Sequence, residues 1–231
     1  MTNCNTSDNE IIIVPEETGY EWPDNNRVYW PTNEWQNASM TAHGIDPSKM
    51  MIANEFAKND PLSRALLVVK DGYIVYENYY GDGGIDQSTN LWSVTKSFSS
   101  ALVGFLMDDN TISSTDQLMS ELMPDYPEFN DITLQHVLTM TTGLSWAEEG
   151  PLWVQWIFSD DWVLEALSRG QIHQPGTQFK YSSGNSHFLT SMVHNKTNSS
   201  LGLFAEQWLF EPLGIEFEPL TERLNYSNWN E

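Results

Sequence analysis

The sequence predicts an α+β fold: one antiparallel hairpin followed by a long helical stretch. Three observations predict it. The run "RALLVVKDGYIVYENYYG" (64–81) sets two β-favouring segments around Asp71-Gly72, a dipeptide that supplies the positive φ angles of a two-residue turn. From about residue 91 onward the apolar residues recur at helical spacing, punctuated by Pro and Gly. The 231 residues are 40% hydrophobic and 13% aromatic, enough to bury a core and too apolar for a disordered chain.

The elements follow in order. Residues 1–40 lack periodicity and read as an N-terminal arm, strapped down by Trp22, Tyr29, Trp30 and Trp35. The body is expected over 41–231. Asp46-Pro47 is a helix start, an N-cap acid with proline in the first turn, and that helix should stop before Pro61. Strands are expected near 65–70 and 73–79. A helix spans 91–109, followed by a short one in "STDQLMSELMPDYPEF" that ends at Pro124. Another, capped around Asp131 or Thr133, runs to Gly143. "SDDWVLEALSRG" is a helix starting near Asp160 or Asp161. "PGTQFKYSSGNSHFLTSMVHNKT" reads as a turn, an extended stretch and a helix, and "LGLFAEQWLFEPLGI" as a last helix ended by Pro212. A two-stranded hairpin is marginal alone, and no other strong strand signal follows, so the sheet is expected to be incomplete.

Ten basic residues face 32 acidic ones, a net charge of −22 spread along the chain. Phosphate binding needs clustered Lys and Arg, so nucleic acid is excluded as a partner. One cysteine, Cys4, allows no internal disulfide. No apolar run is long enough for a transmembrane helix, and "MTNCNTSDNEIIIVPEE" lacks a basic n-region. The compartment stays open: periplasmic or secreted if a leader was removed, otherwise cytoplasmic.

The chemistry concentrates in "LWSVTKSFSSALVGFLMDDN" (91–110). At 100° per residue Val94, Phe98, Ala101, Leu102 and Phe105 share one face, and Ser93, Lys96, Ser97, Ser100 and Gly104 the other. Ser93 and Lys96 are neighbours one turn apart. A serine hydroxyl needs a base to become a nucleophile, and a lysine amine serves once its surroundings disfavour the charged form. Near a helix N-terminus the serine's own N–H can also help hold an oxyanion. Tyr181 stands 88 residues later in "PGTQFKYSSGNSHFL"; a phenol beside a lysine can relay a proton between nucleophile and leaving group.

These residues carry a resemblance. The chain resembles the penicillin-recognising serine hydrolases related to class C β-lactamases, a group with carboxylesterases, D-aminopeptidases and 6-aminohexanoate-dimer hydrolases. The family's Ser-x-x-Lys box is matched by Ser93-Val94-Thr95-Lys96, and its Tyr-x-Asn or Tyr-x-Ser box by Tyr181-Ser182-Ser183. The Ser variant is nearer the dimer-hydrolase and carboxylesterase branch. "ITLQHVLTMTTGLSW", "LFEPLGI" and the hairpin are similar to the family's connecting text, so the resemblance covers roughly 27–217. It implies a β-lactamase/transpeptidase-like fold, a helical lobe (about 91–231) packed with an antiparallel sheet. It implies hydrolysis of a small ester, amide or β-lactam through an acyl-enzyme on Ser93, with Lys96 as base, Tyr181 as relay and Ser183 orienting substrate and touching the lysine. No cofactor is implied. The family's third box lies on a later strand, whereas this sequence reaches Glu231 only 50 residues after Tyr181. The remaining strands and C-terminal helix are therefore expected to be missing, and the alternative is a truncated, inactive remnant that only binds a ligand or partner.

Other residues are assigned more ordinary roles. His136 reads as a packing residue, and His173, His187 and His194 lack metal-ligand spacing, so no metal site is expected. Trp92, Trp146, Trp153, Trp156 and Trp162 are core or pocket walls, with Trp146 and Trp92 the candidates for contact with substrate.

Overall fold

The computed structural model describes Tyr29, Pro31 and residues 34–215. Cys4, Trp22 and Trp30 lie outside the described residues. Two compact units are present, one ending at Gln87 and one beginning at Ser88.

In the first unit helix α1 (Pro47–Asn59) starts as its sequence dictates, with Asp46 accepting from Ser48 N–H at 2.8 Å and Pro47 in the first turn. Strands β1 (Ala65–Lys70) and β2 (Tyr73–Tyr79) pair antiparallel, Ala65 opposite Tyr79 and Lys70 opposite Tyr73, with a bulge between Val68 and Val69. Asp71 (φ 55°) and Gly72 (φ 87°) make the turn. Residues 36–38 add one parallel bridge to β2: Ile74 N–H donates to Gln36 O at 2.9 Å and Ala38 N–H to Ile74 O at 3.0 Å. The buried Asn54 of α1 joins helix to sheet. Its Oδ1 accepts from Tyr76 OH, Asn78 Nδ2 and Tyr80 OH at 2.7–2.8 Å. The sheet of the described residues stops at these two strands, and β1 leaves Leu67 and Val69 about half exposed.

The second unit is helical: α2 (Thr95–Asp108), α3 (Met119–Leu122), α4 (Leu134–Leu138), α5 (Pro151–Ile157), α6 (Trp162–Ser168), α7 (Ser183–Thr197) and α8 (Leu201–Ala205). A π-helical turn, Glu206–Phe210, continues α8. Helix α7 packs against α2, α3, α4, α6 and α8. Its Phe188 is fully buried and meets Phe129 edge to face at 4.8 Å. Burying a side chain of that size stabilises by about 1.5–3 kcal/mol, so this axis carries much of the core.

Three expectations need correction. The buried face of α2 is Ser99, Leu102, Val103 and Leu106, an i, i+3, i+4, i+7 stripe, while Val94 and Ala101 are exposed. Of the five residues expected on the buried face only Leu102 is fully buried: Phe105 packs at the margin of the core and Phe98 is half-buried against Phe210. The helix expected to run to Gly143 ends at Leu138, because Met140 takes a positive φ of 54°. Helix α5 was not anticipated: "PLWVQWI" has no acid or polar cap before it, only Gly150 and a proline at N1.

Candidate active site

Ser93 sits in a 3₁₀ turn, Trp92–Val94, that leads directly into α2. Val94 N–H is used within the turn, donating to Leu91 O at 3.0 Å, and Thr95 N–H bonds back to Trp92 O and Ser93 O. Trp92 has a positive φ of 47°, costly for a bulky residue, and the residue is 83% exposed. One turn on, Lys96 Nζ donates to Ser93 Oγ at 3.0 Å. The same ammonium nitrogen lies 5.2 Å from the centroid of the Tyr181 ring, within reach of the ring's negative face. Serine, lysine and tyrosine are thus brought together.

The Tyr181 segment is held by the loop after α4. Gly176 N–H donates to Thr141 O at 2.8 Å, and Lys180 N–H to Met140 O at 2.9 Å. Buried Thr142 donates through Oγ1 to Asn185 Oδ1 at 3.3 Å. Gly143 must be glycine: its φ is 76°, and a Cβ there would lie 2.0 Å from His173 O. "MTTGLSW" is therefore a brace for the strand-like run that carries Tyr181. His136 works in the same region, its Nδ1 accepting from Thr133 N–H at 3.2 Å in a capping box at the start of α4.

Ser183 opens α7. Its N–H donates to Glu148 Oε1 at 2.6 Å and its Oγ–H to Glu148 Oε2 at 2.8 Å. Trp146 Nε1 donates to Glu148 Oε1 at 2.5 Å. The Trp146 ring is buried, edge-on to Trp156 at 5.1 Å, with the Arg169 guanidinium 4.5 Å above it. Arg169 Nη2 donates to Leu152 O and lies 3.7 Å from Glu165 Oε1, while its Nε and Nη1 are buried without a hydrogen-bond partner among the described residues, so the guanidinium is held between the Glu165 carboxylate and the indole face. Trp153, Trp156 and Trp162 form a cluster around His187 and the Trp146 edge, which places them in the core. A pocket of about 370 Å³ opens beside Tyr181, lined by Ala147, Glu148, Glu149, Lys180 and Tyr181. Sequence reasoning missed Glu148. Nothing local distinguishes it among 32 acidic residues; only its tertiary pairing with Ser183 does.

A family model, "Beta-lactamase", matches residues 53–216, and the chain belongs to that family. A comparison with the curated proteins found no match. Among solved structures, a Bacillus anthracis protein called a 6-aminohexanoate-dimer hydrolase is similar at 18% identity and TM-score 0.59, over 78% of this chain and 52% of that one. A D-stereospecific amidohydrolase from Streptomyces is similar at 21% identity and TM-score 0.59, over 73% and 55%. The D-amino acid amidase of Ochrobactrum anthropi is similar at 19% identity and TM-score 0.51, over 68% and 48%. The fold is thus β-lactamase/transpeptidase-like, and the chain spans about half the length of the structures it matches.

Proposed function

We propose that the protein is a serine hydrolase that cleaves an ester or amide bond through an acyl-enzyme on Ser93. The observation that carries this reading is the 3.0 Å contact between Lys96 Nζ and Ser93 Oγ, with the Tyr181 ring beside the same nitrogen. With the amine neutral, the Oγ proton passes to Nζ as Oγ attacks the carbonyl carbon. The Ser93 N–H helps to hold the tetrahedral oxyanion. Tyr181 relays the proton to the departing alcohol or amine, leaving the acyl group on Ser93. Water then attacks the ester carbonyl, gives its proton to the same base, and the carboxylic acid is released with Ser93 restored.

Ser183 orients the substrate and the exposed Trp92 supplies apolar surface to it, whereas Trp146, the other tryptophan expected to touch substrate, is buried behind Glu148 and acts by holding that carboxylate. Small amides, esters and β-lactams are the substrate class. Neighbours named as an amidohydrolase and an amidase support an amide. The test is covalent labelling with a fluorophosphonate and a fluorescent penicillin. Wild-type protein takes the label on Ser93, and Ser93→Ala takes none. A wild type that stays unlabelled overturns the reading.

A further inference from the structure

We propose that Glu148 is the positioning residue of this site, setting where Tyr181 and Ser183 stand relative to Lys96. The catalytic consequence rests on the serine-hydrolase reading; the positioning itself does not. Ser183 is the first residue of α7, where the backbone N–H has no acceptor within the helix. Ser182 supplies the ordinary side-chain cap, accepting from Asn185 N–H at 3.1 Å. A second cap would need one oxygen of Glu148. Both are used, one by Ser183 N–H at 2.6 Å and the other by Ser183 Oγ–H at 2.8 Å, which fixes the side-chain rotamer as well as the backbone.

The carboxylate is itself held. Trp146 Nε1 donates to it, and the indole has little freedom to move. A Cβ on Gly184 would stand 2.6 Å from Trp146 Cζ3, Trp156 closes another side, and the Arg169 guanidinium covers a face. The order of support is therefore Trp146, Glu148, Ser183, and two residues earlier Tyr181, whose ring meets Lys96. Glu148 also lines the pocket beside Tyr181, so its place bears on the space a ligand would enter. Because the Ser183 hydroxyl proton is committed to the carboxylate, Ser183 presents a lone pair and not a donor to whatever sits next to it.

The test uses the full chain with Glu148→Ala, Ser183→Ala and the double variant, at a temperature where circular dichroism shows each folded. With a fluorophosphonate, Glu148→Ala lowers the maximal rate of Ser93 labelling by about tenfold or more while half-saturation changes little, as expected for misplaced reacting groups. Ser183→Ala gives a loss of similar size, and the double variant loses no more than the larger single one. In ¹³C-tyrosine NMR spectra, Tyr181 resonances, assigned with Tyr181→Phe, move in Glu148→Ala. If Glu148→Ala lowers the melting temperature but leaves the labelling rate and the Tyr181 resonances at wild-type values, Glu148 is only a helix cap and the proposal is wrong. If Glu148→Ala does not fold, Glu148→Asp carries the test: its shorter carboxylate withdraws from Ser183, and unchanged Tyr181 resonances overturn the proposal. A wild type that takes no label defeats the hydrolase reading alone, and the Tyr181 resonances still decide the positioning.

Discussion

Gly184 shows how one missing side chain sets the geometry of the site. It lies in the first turn of α7, where alanine is ordinarily favoured by up to about 1 kcal/mol. The Trp146 ring takes the space of the Cβ, with atoms 2.6 and 2.9 Å from where it would stand. That ring cannot retreat, because Trp156 and Arg169 hold it from other sides. Overpacking of this kind costs about 1–3 kcal/mol, so the clash wins over helix propensity. Gly184→Ala is expected to lower the unfolding free energy by a net of about 1–2 kcal/mol, read as a lower urea midpoint at unchanged m-value. A midpoint at or above wild type means that the ring yields. None of this could be read in "YSSGNS", because the constraint comes from a tryptophan 38 residues earlier. Ser93 and Lys96, in contrast, were legible: their contact is one helical turn long, and local periodicity fixes it.

At the scale of elements, α5, α6 and α7 meet through aromatic rings around His187 of α7. Its imidazole lies 4.9 Å from the Trp162 ring and 6.0 Å from the Trp156 ring. Burial among them pushes its pKa down from 6.5 to about 4, with nearby Asp161 pulling weakly the other way. The unfolded chain takes up a proton near pH 6.5 that the folded one refuses until about pH 4. Stability from this group is therefore whole above pH 6.5, is lost as the pH falls, and is gone below about 4. Between pH 7 and 4.5 wild type should lose about 2 kcal/mol more than His187→Gln, read from urea unfolding at each pH. Equal losses mean that the ring is charged or solvated in the folded protein. The sequence located α1, β1, β2 and α6 because each begins or turns on a residue with a local signature, Asp46-Pro47, Asp71-Gly72 and the Asp160-Asp161 pair, of which Asp161 is the cap; α7 was expected without a start, and Ser182 proves to be its cap. It overran α4 and missed α5. Met140 takes the left-handed position of a helix C-terminal turn, its N–H donating to Val137 O and Thr141 N–H to His136 O, where glycine is the residue that signals such a turn, and Gly150-Pro151 carries no side-chain cap.

At the scale of the whole molecule, charge was fully legible and packing was not. The 32 acids and ten Lys or Arg are a property of composition alone, whereas the α2 core face depended on what the other helices brought against it. The charge has a physical consequence of its own. Among the described residues the Arg64–Asp82 and Lys70–Asp71 pairs are exposed, whereas the Arg169–Glu165 pair, at 3.7 Å, is largely buried and screened much less. Exposed pairs stabilise by about 0–1 kcal/mol each, so screening them removes little. The uncompensated net charge of −22 repels itself in the folded chain more than in the expanded one. At about 0.1 M salt the screening length shrinks to about 10 Å, which weakens this long-range repulsion while shorter contacts persist. Repulsion is then the larger of the two electrostatic effects, and added salt should stabilise. Between about 0.01 and 0.3 M NaCl the melting temperature is expected to rise by a few degrees, since about 1 kcal/mol moves a chain of this size by about 2–4 °C. A melting temperature that falls over this range means that specific ion pairs outweigh the net charge.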